Sequence, residues 1–294
     1  MDRATRTPFV LPQVDISTFT GRQKELATLK NLLIDAKSNR VCSLVSLSGS
    51  GGMGKSALAA HFATEYRQYF PHGVIGLRVE DKDVNTVARE FVLELYRYTD
   101  QDLDPEDERP AAALMEEAFG SLKMLLIFDN ADRAEVLQPL IPAVGQSAVI
   151  ITTRDRGLPV TLQISQDSIL DVPVLPSEDS LELLKRILGE NRVNAEIEAA
   201  YNIIQIVENL PLALQIAGAS LKLQNQRPLG DYAASLVQEK KRLGRLYFGD
   251  TLQQLNLRAS FELSLNLLDS DTKQFFACLS VCGRDGFSRR TAMA

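Results

Sequence analysis

The sequence predicts an α/β fold: a parallel β-sheet with helices on both faces, followed by a stretch built from helices alone. Three observations carry this prediction. Short apolar runs alternate with segments of helical periodicity as far as residue 172, the pattern of strands buried on both faces. A glycine-rich turn, Gly49-Ser-Gly-Gly-Met-Gly54, joins the first apolar run directly to a helical segment. Beyond Pro173 only helical periodicity remains.

Taken in order, residues 1–17 contain Pro8 and Pro12 with little periodicity and read as an extended arm. From Arg22 to Lys37, Leu26, Leu29, Leu33 and Ala36 recur at helical spacing. The run from Val41 to Leu47 is apolar and β-rich, a strand that stops at the glycines. Lys55 to Tyr69 reads as a helix, broken by Pro71-His72-Gly73, and Val74 to Val79 as a second strand. Val84 to Tyr98 is helical by pattern, and the acid-rich segment Thr99–Pro110 reads as a solvated loop. It lacks the glycine and terminal glutamate that a calcium loop needs. A helix over Ala111–Leu122 then precedes strands at Met124–Phe128 and Ala148–Thr153. Further helices are expected at Ser177–Leu188, Ala195–Val207 and Pro211–Leu223. A mixed helical segment follows, and then Ser260–Leu268 and Asp271–Val281.

Composition narrows the function classes. The 294 residues suffice for about two domains at roughly 150 residues each. An apolar fraction of 45% and a charged fraction of 24% are ordinary for a chain with a sizeable core. A net charge of -6 and a pI near 5.2 disfavour direct nucleic-acid binding and attraction to anionic membranes. Three cysteines are too few for a disulfide framework and point to a reducing compartment. Cys278 and Cys282 share one face of a predicted helix with no histidine near, so they read as small buried hydrophobes rather than metal ligands. No apolar leader and no membrane-length apolar run occurs, and the chain reads as cytoplasmic.

The turn from Gly49 to Ser56 satisfies the P-loop pattern GxxxxGK[ST], with a strand before it and a helix after it. A polyphosphate needs several converging backbone N–H groups, and glycines let the chain wrap that closely. The helix N-terminus adds unpaired donors and partial positive charge. Lys55 would reach the β/γ-phosphates as a point charge, and the Ser56 hydroxyl would ligate Mg²⁺. Asp129, at the end of the Met124–Phe128 strand, is the Walker B carboxylate expected to hold the same Mg²⁺. The next residue is Asn130, where many ATPases place a carboxylate base, so hydrolysis is expected to be slow or partner-dependent. Asp132 is near in sequence only. Arg154, just past the Ala148–Thr153 strand, would read the γ-phosphate with its planar fork. Lys55, Asp129 and Arg154 are therefore the candidate catalytic residues, and Ser56 and Asp129 the candidate metal ligands.

Four motifs in one order resemble a known family. Phe19-Thr-Gly21-Arg22-Gln-Lys-Glu25-Leu26 resembles the opening motif VGR-x-x-E-L. Leu125–Asp132 resembles the Walker B region, Ile150–Asp155 the TTR sensor, and Asn209-Leu-Pro211-Leu-Ala-Leu the GLPLAL motif of a following helical domain. Together they resemble NB-ARC domains, the nucleotide switch of STAND-type signalling ATPases related to apoptotic and plant immune receptors. The resemblance implies an arm (1–17), a P-loop α/β nucleotide domain (18–172), a small helical domain (173–228), and a linker with the start of a winged-helix domain (229–294). It implies bound ADP in a closed state, and exchange for ATP that opens the modules and drives self-association through the nucleotide domain.

Carried onto this sequence, Phe19, Thr20, Gly21 and Arg22 would line the adenine side. Gly49, Gly51, Gly52, Met53, Gly54, Lys55, Ser56 and Ala57 would hold the phosphates, and Pro211 would pack on the base. Two departures stand out: Asn209 replaces the glycine of the proline motif, and the chain ends before the MHD histidine that contacts ADP in the family. Weaker ADP retention is expected if the chain is complete. With about 17 residues ahead of the opening motif, sensor or effector modules are expected beyond residue 294. Two other readings compete: a P-loop phosphotransferase, which would need an acceptor site and an arginine-bearing lid, and a winged-helix DNA-binding regulator using Arg284, Arg289 and Arg290.

Overall fold

The computed structural model describes residues 7–35, 40–45, 51–99, 101–104, 107–246 and 251–279. The chain divides into two compact units, Met1–Leu175 and Pro176–Ala294.

The first unit is built on a parallel sheet. Its elements are β1 (Phe9–Val10), α1 (Gln23–Lys30), β2 (Val41–Val45), α2 (Lys55–Glu65), β3 (Val74–Arg78), α3 (Val84–Tyr96), α4 (Ala111–Phe119), β4 (Leu125–Ala131), α5 (Ala134–Leu137), α6 (Leu140–Ala143), β5 (Ala148–Thr153), α7 (Leu158–Thr161) and β6 (Ile169–Asp171). The strand order is β1-β3-β4-β5-β2-β6, and every pairing is parallel. The four expected strands are all present, and together they are the interior of the sheet. Two edge strands escaped the sequence reading. The first, β1, is two residues between prolines, inside the segment expected to be an extended arm. It pairs with β3, and the Val74 N–H donates to the Pro8 carbonyl at 2.9 Å. An edge position suits it, because Pro8 and Pro12 have no N–H to give a second neighbour.

One sheet face is buried under α3 to α6. Ile75, Leu126, Phe128, Val149 and Ile151 form a core with Phe91, Leu95, Met115, Phe119, Leu137 and Leu140, and the Phe91 and Phe128 rings lie 4.7 Å apart. On the other face α2 packs on β4 and β5, while Asn31–Asp35, a π-helical continuation of α1, packs on β2 and β5. Fully buried strands explain why each apolar run is continuous rather than alternating. Helix α3 begins at Asp83, whose Oδ1 accepts from the Asn85 and Thr86 N–H groups at 2.9 and 3.0 Å.

The second unit is helical: α8 (Ser177–Leu188), α9 (Glu190–Ala195), α10 (Ile197–Ile206), α11 (Pro211–Leu223), α12 (Leu229–Leu246), α13 (Leu252–Leu265) and α14 (Ser270–Leu279). Helix α12 and the first turns of α13 occupy the mixed segment. Arg192 donates to the carbonyls of Leu221, Gln224 and Arg227 at 2.8, 3.1 and 3.0 Å, satisfying acceptors that the end of α11 leaves open. Asn209 stands at φ +57°, a left-handed conformation that asparagine tolerates better than most side chains. Its Oδ1 accepts from the Ser180 hydroxyl at 2.9 Å, so the turn before α11 forms without the family's glycine.

One expectation is overturned. Cys278 is exposed rather than buried, and Phe275 and Phe276 beside it on α14 are about half exposed. Residues 270–278 of that helix are all exposed. Cys282, Arg284, Arg289 and Arg290 lie outside the described residues.

Candidate functional site

The strand order positions the site. The P-loop strand β2 and the Walker B strand β4 flank β5, so the carboxyl ends of β2, β5 and β4 meet at one edge. This is where open α/β sheets place ligands. Gly54 caps α2 at φ +86°, and Gly52 has φ +84°, conformations that a side chain would strain. The turn therefore delivers Lys55 as the first residue of α2, pointing its N-terminal donors at the sheet edge.

Lys55 is only 8% exposed. Burial pushes its ammonium pKa down to about 8, and the nearby Arg154 charge pushes the same way, while Asp129 and Asp171 act in the opposite direction. The Arg154 guanidinium covers Gly51, its atoms 3.6 to 3.8 Å from where a Cβ would stand. Two cations thus crowd one glycine turn.

Asp129 is equally buried, and its Oδ1 accepts from the Thr152 hydroxyl at 2.7 Å. Thr152 Oγ1 in turn accepts the Asn130 N–H at 2.8 Å. The register of β4 against β5 shifts here, from Phe128 opposite Ile151 to Ala131 opposite Thr153. The extra residue is a bulge, and Asn130 takes a left-handed φ of +57° within it. Thr153 closes the bulge by donating to the Ala131 carbonyl at 2.6 Å and accepting the Asp155 N–H at 3.0 Å.

The opening motif folds onto the turn. Gly21 and Arg22 are left-handed at φ +69° and +67°, and Arg22 caps α1. Its buried guanidinium donates to the carbonyls of Met53 at 3.0 Å and Pro173 at 2.6 Å, and pairs with Glu25 at 3.1 Å. The Phe19 ring stacks on His61 of α2, centroids 4.0 Å apart and planes 15° apart. His72 is structural, its Nδ1 accepting the Lys123 N–H at 2.8 Å.

A family model described as "NB-ARC domain" matches residues 22–194, more than half of the chain. The chain belongs to the NB-ARC family. It is 31% identical to "Regulatory protein AfsR" of Streptomyces griseus and 30% identical to the protein of that name from Streptomyces coelicolor. Those alignments cover 98% and 99% of this chain but 29% of each relative, so the chain spans under a third of their length. It is 26% identical to "Protein SUPPRESSOR OF npr1-1, CONSTITUTIVE 1" of Arabidopsis thaliana, over 91% of this chain and 18% of that protein. Among solved structures, the Walker-type ATPase paby2304 of Pyrococcus abyssi aligns with a TM-score of 0.53 at 15% identity, covering 98% and 90% of the two chains. That likeness bears on the fold.

Within this NB-ARC chain, the structure brings together Gly51, Lys55, Asp129 and Arg154, and seats Arg22 on Met53. Ser56 and Ala57 follow on the first turn of α2, half-buried, and Thr20 is buried beside Gly21. Gly49 lies outside the described residues. Pro211 is the first residue of α11 in the second unit. Two residues near the site were missed by sequence reasoning. Thr152 carried a signal, as the first residue of the Thr-Thr-Arg stretch before Asp155. Asp171 carried none, because three residues of β6 are too short to show a period. It pairs in register with Val45, and its Oδ1 is buried without a hydrogen-bond partner among the described residues.

The donor set fits a polyphosphate with a hard divalent cation: a buried ammonium and an exposed guanidinium at one glycine turn, and a carboxylate with a hydroxyl near. Among the described residues no helix is long and apolar enough to cross a membrane.

Proposed function

We propose that this NB-ARC chain is an adenine-nucleotide switch for a regulatory protein. One observation carries the reading: Lys55 and Arg154 sit close enough for their charges to repel, at a glycine turn beside a helix N-terminus. Burial and the exposed Arg154 guanidinium both disfavour the charged form of Lys55, and an anion bound between the two would favour it. A β/γ-diphosphate supplies that charge, and backbone donors of Gly51–Ala57 complete its cradle. Asp129 and the Ser56 hydroxyl would hold Mg²⁺, whose charge offsets that of the phosphates. Phe19–Arg22 would face the adenine, and Pro211 would close on the base from the second unit.

ADP and ATP then bias the packing of the helical segments against the α/β unit through their difference in affinity for the two arrangements. Hydrolysis is slow, since Asn130 follows Asp129, and the ATP state favours self-association. Residues 173–228 act as the small helical domain, and 229–294 as a linker and the start of a winged-helix domain. Sensor and output functions belong to neighbouring modules of a longer protein.

The test is calorimetry on protein stripped of nucleotide, with ADP and then ATP in the presence of magnesium. Binding of either, lost in Lys55→Ala, is the expected result. No heat with either nucleotide sinks the reading. Identifying the nucleotide released on denaturation shows which state the purified chain holds.

A further inference from the structure

We infer that Glu80 is the carboxylate that takes the proton from the attacking water when the bound triphosphate is cleaved, an inference that rests on the switch reading above. The residue after Asp129 is an amide, which accepts no proton at neutral pH. Asp132 lies beyond the bulge, its side chain 41% exposed and 3.9 Å from the Arg133 Nε. The neighbouring strand offers a better-placed acid. In β3, Arg78 is in register with Asp129 of β4. Residues in register on parallel strands share a sheet face. Ile75 and Val79 belong to the core on the opposite face with Phe128 and Ile151, which puts Arg78 on the Asp129 side.

The Arg78 guanidinium donates to Glu80 Oε2, which holds the carboxylate on that same side at the carboxyl edge of the sheet. Glu80 is the sheltered partner, its side chain 16% exposed against 55% for Arg78. The turn that carries it is tied directly to the Walker B strand. The Val79 N–H donates to the Asp129 carbonyl at 2.9 Å, and the Lys82 N–H closes the turn on the Val79 carbonyl at 3.3 Å. Arg133, at the exit of β4, donates to the Lys82 carbonyl. A carboxylate fixed in this way, one strand over from the candidate metal ligand, is a candidate for the general base that Asn130 cannot be.

Glu80 accepts a proton from water as the water oxygen bonds to the γ-phosphorus. The bond from that phosphorus to the β–γ bridging oxygen breaks, and the bridging oxygen keeps the electron pair. ADP and inorganic phosphate result, and Glu80 returns its proton to solvent.

The experiment compares the full chain with its Glu80→Gln, Glu80→Asp and Asp132→Asn variants. Calorimetry gives ADP and ATP affinities, single-turnover assays give hydrolysis, and chromatography identifies the nucleotide released after incubation with ATP. In Glu80→Gln, hydrolysis should fall by about 10²–10⁴-fold, while both affinities stay within roughly threefold of the starting values. The released nucleotide should shift from ADP to ATP, and Glu80→Asp, which keeps the acid, should cleave faster than Glu80→Gln. Asp132→Asn should cleave at the original rate. Unchanged hydrolysis in Glu80→Gln, loss of hydrolysis in Asp132→Asn, or an unaltered chain that binds ATP without ever cleaving it overturns the assignment. A chain that binds no nucleotide overturns the switch reading and Glu80's role with it, which the affinities reveal before any rate is measured.

Discussion

Thr152 donates its hydroxyl hydrogen to Asp129 at 2.7 Å and accepts the backbone N–H of Asn130 on the same oxygen at 2.8 Å. One side chain therefore orients the Walker B carboxylate and satisfies the bulge that re-aims it. Thr152→Val keeps the shape and removes both bonds, leaving a buried carboxylate and a part-buried N–H with one partner fewer. A loss of about 2–3 kcal/mol in stability is expected for the first unit. Denaturant unfolding measures it. Magnesium-dependent ADP affinity should weaken in the same variant, whereas affinity in EDTA should change little.

On the switch reading proposed above, Lys55 should give nucleotide binding a defined pH dependence. Its pKa in the free protein is about 8, through burial first and Arg154 second. A bound phosphate favours the charged ammonium, so above pH 8 binding must take up a proton. Affinity for ADP in EDTA should be flat below about pH 7.5 and fall as pH rises through 8, approaching tenfold per unit well above the midpoint. Arg154→Ala removes a charge that depresses Lys55, so its midpoint should move to higher pH even as overall affinity drops. Calorimetry from pH 7 to 10 checks both, and a flat profile would contradict the placement of Lys55.

Two glycines should respond in opposite directions. Gly73 has φ +106°, and a Cβ there would stand 2.3 Å from the Pro8 carbonyl oxygen, which is backbone and cannot swing aside. Gly73→Ala should lose about 2–5 kcal/mol from strain and overpacking together and loosen the β1–β3 pairing. Gly244 is exposed in α12 and a Cβ would meet nothing within 4 Å. Gly244→Ala should gain about 0.5–1 kcal/mol from helix propensity. Denaturant midpoints of the two variants decide the matter.

The cysteines should separate by reactivity. Burial pushes the Cys42 thiol up to about 12, and it lies wholly inside the sheet, whereas Cys278 is exposed on α14. An aromatic disulfide reagent at pH 8, read by peptide mass, should label Cys278 in the native protein and Cys42 only after denaturation. Rapid native labelling of Cys42 would contradict its position in β2.

By itself the sequence determined the α/β class, the four interior strands and the glycine turn that opens α2. Each of these is local: continuous apolar runs follow from burial on both faces, and the left-handed turn follows from glycine. The positions of Lys55, Asp129 and Arg154 at one end of the sheet were legible because each directly follows a glycine turn or a continuous apolar run. The edge strands β1 and β6 were not, since two or three residues hold no period and owe their conformation to a neighbour far along the chain. Only the tertiary structure decided that β5 lies between β2 and β4. That order sets Thr152 on Asp129 and Arg154 over Gly51, and it brings Asp171 and Glu80 to the same edge. Contacts of this kind depend on strand order and register, which arise from packing across the whole sheet rather than from any one stretch of residues.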